Sequence, residues 1–394
     1  MRKDKKDVFE LPLKFIFTET GASVFMRQNK RLVRMKMGDY TEEYGISLEK
    51  VTPASIQRML IIDYISKIEV SGVEPVASRK EIIDLSKLIV YGLLYRQHNI
   101  AALTRILAAE PVKKWNRANP FTVLDEKTQF KEGFLELFLR GHGDEIASVR
   151  KDILKPIAAS IAKNEQLQPD EKNIRMLLCG KFLDELNPII WFVLLKFKGS
   201  PDAGGGRSLD FFTLVGEIRN SLAEFLEKSV VAEYAALMII ELAVNIENSN
   251  MLREKQVLES GKQIDMRTIL ADPNLRSALI EELRRKNSLV TFSWKIGGGS
   301  SSIGTGGRFQ LTLYDKDSHF QEIRDSIETK KMTDLSRRNL SDLYQDLARK
   351  GADSELGLYY LSYLNEACER VGVKFESMVN EVQDTTIITL SFSL

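Results

Sequence analysis

Two stretches near the C-terminal end, "LVTFSWKI" (289–296) and "RFQLTLYD" (308–315), alternate between apolar and polar residues. Side chains of a strand point to opposite faces in turn, so Val290, Phe292, Trp294 and Ile296 share one face, as do Phe309, Leu311 and Leu313. Such a face must be buried, which demands further strands beside it and helices over it. "VKFES" (373–377) and "TTIITLSFSL" (385–394) supply two more strands, the latter with Ile388, Leu390, Phe392 and Leu394 facing the core. "GGGSSSIGTGG" (297–307) separates the first two. It has neither the lysine nor the strand-to-helix context of a Walker phosphate loop, and reads as a long hairpin loop.

Helical periodicity precedes these strands. "LDFFTLVGEIRNSLAEFLEK" (209–228) and "VVAEYAALMIIELAVNIENSN" (230–250) read as two long helices with Ser229 as weak punctuation, and Leu356–Gly357–Leu358 opens another near the end. Upstream, "LPLKFIF" and "KRLVRMKM" are strand-like, and the following segments, including "KEIIDLSKLIVYGLLYRQHNIAALTRIL" and "IRMLLCGKFLDEL", are helical. "SPDAGGGRS" has linker composition. The expectation is an α+β protein. A mainly helical N-terminal region with a small β element spans 1–199 and a linker 200–208. An antiparallel-rich sheet with helices on one face then spans 209–394.

Lysine and arginine number 56 against 55 aspartates and glutamates, so the charge balance gives no sign of general nucleic-acid binding. Cys179 and Cys368 lie in apolar helical contexts and form neither a disulfide framework nor a zinc site, which fits a reducing, cytoplasmic location. The charged start MRKDKKD argues against a secretory leader, and the apolar run Ile189–Leu195 is far shorter than the about 20 residues of a membrane span.

The order helix, helix, strand, strand, polar segment, helix, strand, strand, with particular residues at its joints, resembles the ATP-binding domain shared by histidine kinases, gyrase B subunits, heat-shock chaperone ATPases and certain repair proteins. In "ELAVNIENSN", Glu241, Asn245 and Asn248 fall at i, i+4 and i+7 on one helical face. The resemblance implies that Glu241 orients or deprotonates water and that Asn245 holds magnesium, with Asn248 beside the nucleotide. Asp315, ending its strand, would read the adenine amino group, and Gly351 and Gly357 would let backbone amides meet phosphate. ATP and magnesium are therefore the expected cofactors.

Two of these joints depart from the family pattern. Lys316-Asp317-Ser318-His319 replaces the glycine-containing turn after Asp315, and Asp353 and Glu355 stand where phosphate-facing glycines belong. The helices directly before "ELAVNIENSN" contain no histidine, which argues against conventional autophosphorylation. Two functions are consistent with this pattern. One is a signalling or regulatory protein that binds magnesium nucleotide weakly, with little or no hydrolysis. The other is a pseudo-ATPase interaction module that binds a protein partner through the N-terminal region or the charged segment 316–350.

Overall fold

The computed structural model describes residues 8–29, 33–37, 41–71, 76–121, 123–125, 133–199, 209–258, 266–297, 308–315, 364–383 and 385–394. In chain order the elements are β1 (Leu13–Phe17), α1 (Glu19–Asn29), β2 (Val33–Met37), β3 (Thr41–Leu48), α2 (Pro53–Ile61) and β4 (Ile65–Ser71). They are followed by α3 (Val76–Ala108), α4 (Glu110–Ala118), α5 (Phe134–Gly141), α6 (Gly143–Lys163), α7 (Pro169–Asp184), α8 (Pro188–Lys198) and α9 (Leu209–Leu258). The chain closes with α10 (Met266–Ala271), α11 (Pro273–Arg285), β5 (Thr291–Gly297), β6 (Arg308–Asp315), β7 (Lys374–Val382) and β8 (Thr385–Ser393). Residues 364–370 are also helical.

Several helices begin at an Xaa-Pro step whose first residue caps the free amides. Thr52 accepts from Ser55 N before Pro53, Asn187 from Ile189 N before Pro188, and Asp272 from Asn274 N and Leu275 N before Pro273. Proline at the first helical position gives up only an amide that has no partner there.

The eight strands among the described residues form one antiparallel sheet in the order β2-β3-β1-β4-β5-β6-β8-β7. The protein is α+β, and the four C-terminal strands expected from alternation lie together as β5-β6-β8-β7. The β5–β6 register runs from Thr291↔Tyr314 to Gly297↔Arg308, and residues 298–307, read from sequence as a hairpin loop, lie outside the described set.

The N-terminal β element is larger than the sequence suggests and belongs to this same sheet. β4 pairs with β5, placing Ile68 opposite Trp294 and Val70 opposite Phe292. Compact units accordingly comprise residues 1–93 with 230–394, and residues 94–229. The boundary expected at 200–208 coincides with neither edge of the second unit, and those linker residues lie outside the described set. The two expected helices 209–228 and 230–250 form the single helix α9. Ser229 does not interrupt it, because its hydroxyl donates to Leu226 O inside the helix.

In the first unit, the core face of the sheet stacks Phe309 on Phe392 at 5.5 Å and Phe292 beside Trp294 at 6.0 Å. The opposite face of the central strands is buried as well. There Ser293, Thr312 and Thr389 lie in register, with Ser391 on the same face, all small enough for a closely covered sheet. Beyond the strands, Met251 of α9 packs with Ile269, Leu279, Ile280 and Leu283 of α10 and α11. The second unit is helical, with Phe225 in ring contact with both Tyr95 and Phe182.

By length and composition α9 could cross a membrane, yet 65% of its most apolar window is buried inside the protein, as in a core helix.

Candidate functional site

The C-terminal third of α9 carries polar residues on two different faces. Glu241 and Asn248 share one, seven residues apart and nearly in line along the helix axis. Going from 241 to 250 turns the helix by about 900°, leaving Asn250 about 180° away from Glu241. Asn250 belongs with Glu247 and Glu254 on the second face, and all three are buried.

Asp315 meets this second face. The strand-end position predicted from sequence is correct, but the carboxylate is only 3% exposed and its Oδ1 accepts a 2.9 Å hydrogen bond from Asn250 Nδ2. Arg253 in turn donates to Asn250 Oδ1. One helical turn on, Glu254 accepts a 2.6 Å bond from Lys286, which lies 3.7 Å from Glu282. Both partners favour the charged lysine and raise its pKa. The buried carboxylates of Asp315 and Glu254 on this side of α9 thus each have a partner within the protein, as burial requires.

The first face carries Glu241 and Asn248. Burial raises the pKa of the Glu241 carboxyl, and the Arg79 charge only partly offsets this. Asn248 Oδ1 is buried without a hydrogen-bond partner. The Asn245 side chain, Gly351 and Gly357 lie outside the described residues, as does the segment 316–350.

The structure therefore brings Asp315 to α9, but to the face opposite Glu241 and Asn248. Asp315 and Glu241 thus meet different sides of the helix, and of the other residues expected at a nucleotide the Asn245 side chain, Gly351 and Gly357 lie outside the described set. Among the described residues no group of three or more His, Cys, Asp or Glu side chains is placed to hold a metal. Sequence reasoning did not single out Asn250, although its position is legible. Glu247, Asn250 and Glu254 form an i, i+3, i+7 stripe, the spacing of one helix face.

Neither cysteine is activated. Both are buried, which pushes the Cys179 thiol up to about 11 and Cys368 up to about 12. His98, in the second unit, is also buried. Its Nδ1 is 3.9 Å from Glu224, its ring nitrogens have no hydrogen-bond partner, and its pKa falls to about 4. Burial is the main cause of that shift, with Lys228 and Arg105 adding to it and Glu224 opposing it.

A model described as a family of unknown function, DUF8084, matches residues 4–394. A protein of Treponema pallidum (strain Nichols), described as uncharacterized, is 37% identical over 393 residues, covering 99% of each chain. The likeness therefore runs through both units. No solved structure matches.

Proposed function

This chain belongs to the DUF8084 family, and we propose that it is a regulatory protein whose sheet and α9 serve as an interaction module, a pseudo-ATPase in layout that lacks nucleotide turnover. The observation carrying this reading is the buried Asn250–Asp315 hydrogen bond. A carboxylate already satisfied by a neighbouring amide, on the helix face opposite Glu241, works as a structural fastener between strand and helix. Releasing it to read a base would take from Asn250 Nδ2 its 2.9 Å bond in the core, at a cost comparable to a lost buried hydrogen bond. A protein partner contacted through the N-terminal region or the charged segment 316–350 completes the proposal.

A second reading, weak magnesium-dependent binding of an adenine nucleotide without efficient hydrolysis, is favoured by one feature. Glu241 and Asn248 share a face on which a buried amide oxygen has no partner.

Thermal denaturation separates the two. A ligand with a Kd near ~1 mM stabilises the native state by about 1 kcal/mol at ~5 mM. An interaction module gives the same melting curve with ATP, with ATP and magnesium, and with neither. A magnesium-dependent rise with ATP that Glu241→Gln or Asn248→Ala removes selects the nucleotide reading instead.

A further inference from the structure

The second unit presents a cationic and aromatic surface apart from the sheet. From Pro111 to Leu124 the chain contains no acidic residue, while Lys113, Lys114 and Arg117 of α4 are all exposed. Arg117 pairs with Glu110 at 3.3 Å, both well exposed, a contact that is weak in water. Lys113 and Lys114 have no carboxylate partner among the described residues. Lys196 of α8 brings another cation to the same helix, its ammonium 3.9 Å from the centroid of the Trp115 ring.

Asn119 and Leu124, on either side of Phe121, are each held to α4. Asn116 clamps Leu124 through two 2.8 Å hydrogen bonds, one to its carbonyl and one from its amide, and Leu124 is buried. Asn119 bonds back to Trp115 O through both its amide and its side chain. Between these two fastenings Phe121 is 99% exposed. Tethering a phenyl ring fully in water gains nothing within the chain. On α8, Phe192 lies 6.1 Å from Phe134 and 5.0 Å from Phe138 of α5, whose Leu137 is 68% exposed.

We propose that α4 and the Phe121 loop form a peripheral docking surface for an anionic lipid bilayer, with Lys113, Lys114 and Lys196 at the headgroups and Phe121 inserted into the interface. Charge complementarity selects this partner. Lysines without a carboxylate partner among the described residues stand exposed on α4 and α8, Phe121 a few positions after α4 is almost fully exposed, and an anionic interface satisfies both without a matching cavity in a partner. Burial among aromatic rings lowers the pKa of Lys196, which is consistent with an ammonium that gains from a nearby anion.

The test is flotation of the full chain with phosphatidylcholine vesicles, with and without phosphatidylglycerol. Binding is expected only with the anionic lipid and is expected to be lost at high salt. Lys113→Gln/Lys114→Gln should lower the partition coefficient about thirtyfold. Phe121→Ala should lower it about tenfold. All three positions are exposed, so melting curves matching the parent confirm that the variants fold. Trp191 and Trp294 are buried, so quenching of tryptophan emission by brominated lipid should report Trp115. The proposal fails if anionic vesicles do not float the protein, if neutral vesicles do so equally, or if both variants bind like the parent. It also fails if a poly-glutamate peptide is bound in a salt-sensitive way while vesicles are not, which would identify an acidic protein as the partner.

Discussion

Asn250 Nδ2 donates a 2.9 Å hydrogen bond to Asp315 Oδ1 across 65 positions of sequence, and both residues are nearly inaccessible to solvent. The bond fastens the last residue of β6 to the buried side of α9. Because Arg253 occupies the other side of the Asn250 amide, the asparagine links a cation to an anion inside the core.

Asn250→Ala is therefore expected to destabilise the protein by about 2–3 kcal/mol, since it removes the charge-assisted bond that the buried carboxylate accepts from this amide. Asp315→Ala removes the acceptor instead, leaving Asn250 Nδ2 only the longer 3.5 Å bond to Ser288 O. The double variant should fall short of the sum of the single effects by about 1–2 kcal/mol, the signature of a direct interaction. Urea denaturation of the four proteins measures this, and strictly additive effects would mean that the bond contributes nothing of its own.

His98 makes stability depend on pH. In the unfolded chain the imidazole takes up a proton as pH falls below about 6.5, whereas in the folded protein it stays neutral down to about 4. Protonation thus favours the unfolded state across that window. The contribution of His98 is fully present above the higher value and is lost as pH falls towards the lower one, a total of about 3 kcal/mol. His98→Met should flatten the acid limb of the stability curve. The difference between parent and variant, followed by urea denaturation from neutral pH to pH 4, isolates it from the carboxylates, and parallel curves would be incompatible with a neutral buried imidazole.

Gly21 sits where α1 passes the backbone of Tyr64. A Cβ built there would lie 2.1 Å from Tyr64 O, and that carbonyl already accepts from Thr18 N. Main chain cannot step aside as a flexible side chain does, so Gly21→Ala should cost about 3 kcal/mol or more. Gly180, which has nothing near its added Cβ and lies within α7, is the control. Gly180→Ala should be neutral or stabilising by up to about 1 kcal/mol. Thermal melts of the two variants decide it, and equal shifts would contradict the close approach.

Both thiols should resist modification in the native protein. Cys179 and Cys368 are buried, and burial holds each in the unreactive protonated form at neutral pH. Ellman's reagent should label neither thiol natively and both in urea. Rapid native labelling of one cysteine would show that its surroundings open.

Local pattern carried a good part of this fold. The alternation in 289–296, 308–315 and 385–394 was enough to define β5, β6 and β8, because period-two burial is written residue by residue. The long apolar periodicity of 209–250 likewise announced α9, although Ser229 looked like a break. Its hydroxyl is satisfied inside the helix, a local option that residue type alone does not reveal. Asp315 was also legible as the end of its strand. The partner of a strand edge is not encoded locally. Backbone amides and carbonyls are alike in every strand, so nothing in "ISKIEVS" names β5 as its neighbour, and only tertiary packing joined β4 to β5 and made the N-terminal strands half of one sheet. The site divided in the same way. Sequence spacing placed Glu241 and Asn248 on one face of α9 and Glu247, Asn250 and Glu254 on another. Which of these faces received Asp315 was decided by how β6 packs against the helix, because spacing fixes angles around an axis but not what lies on each side of it.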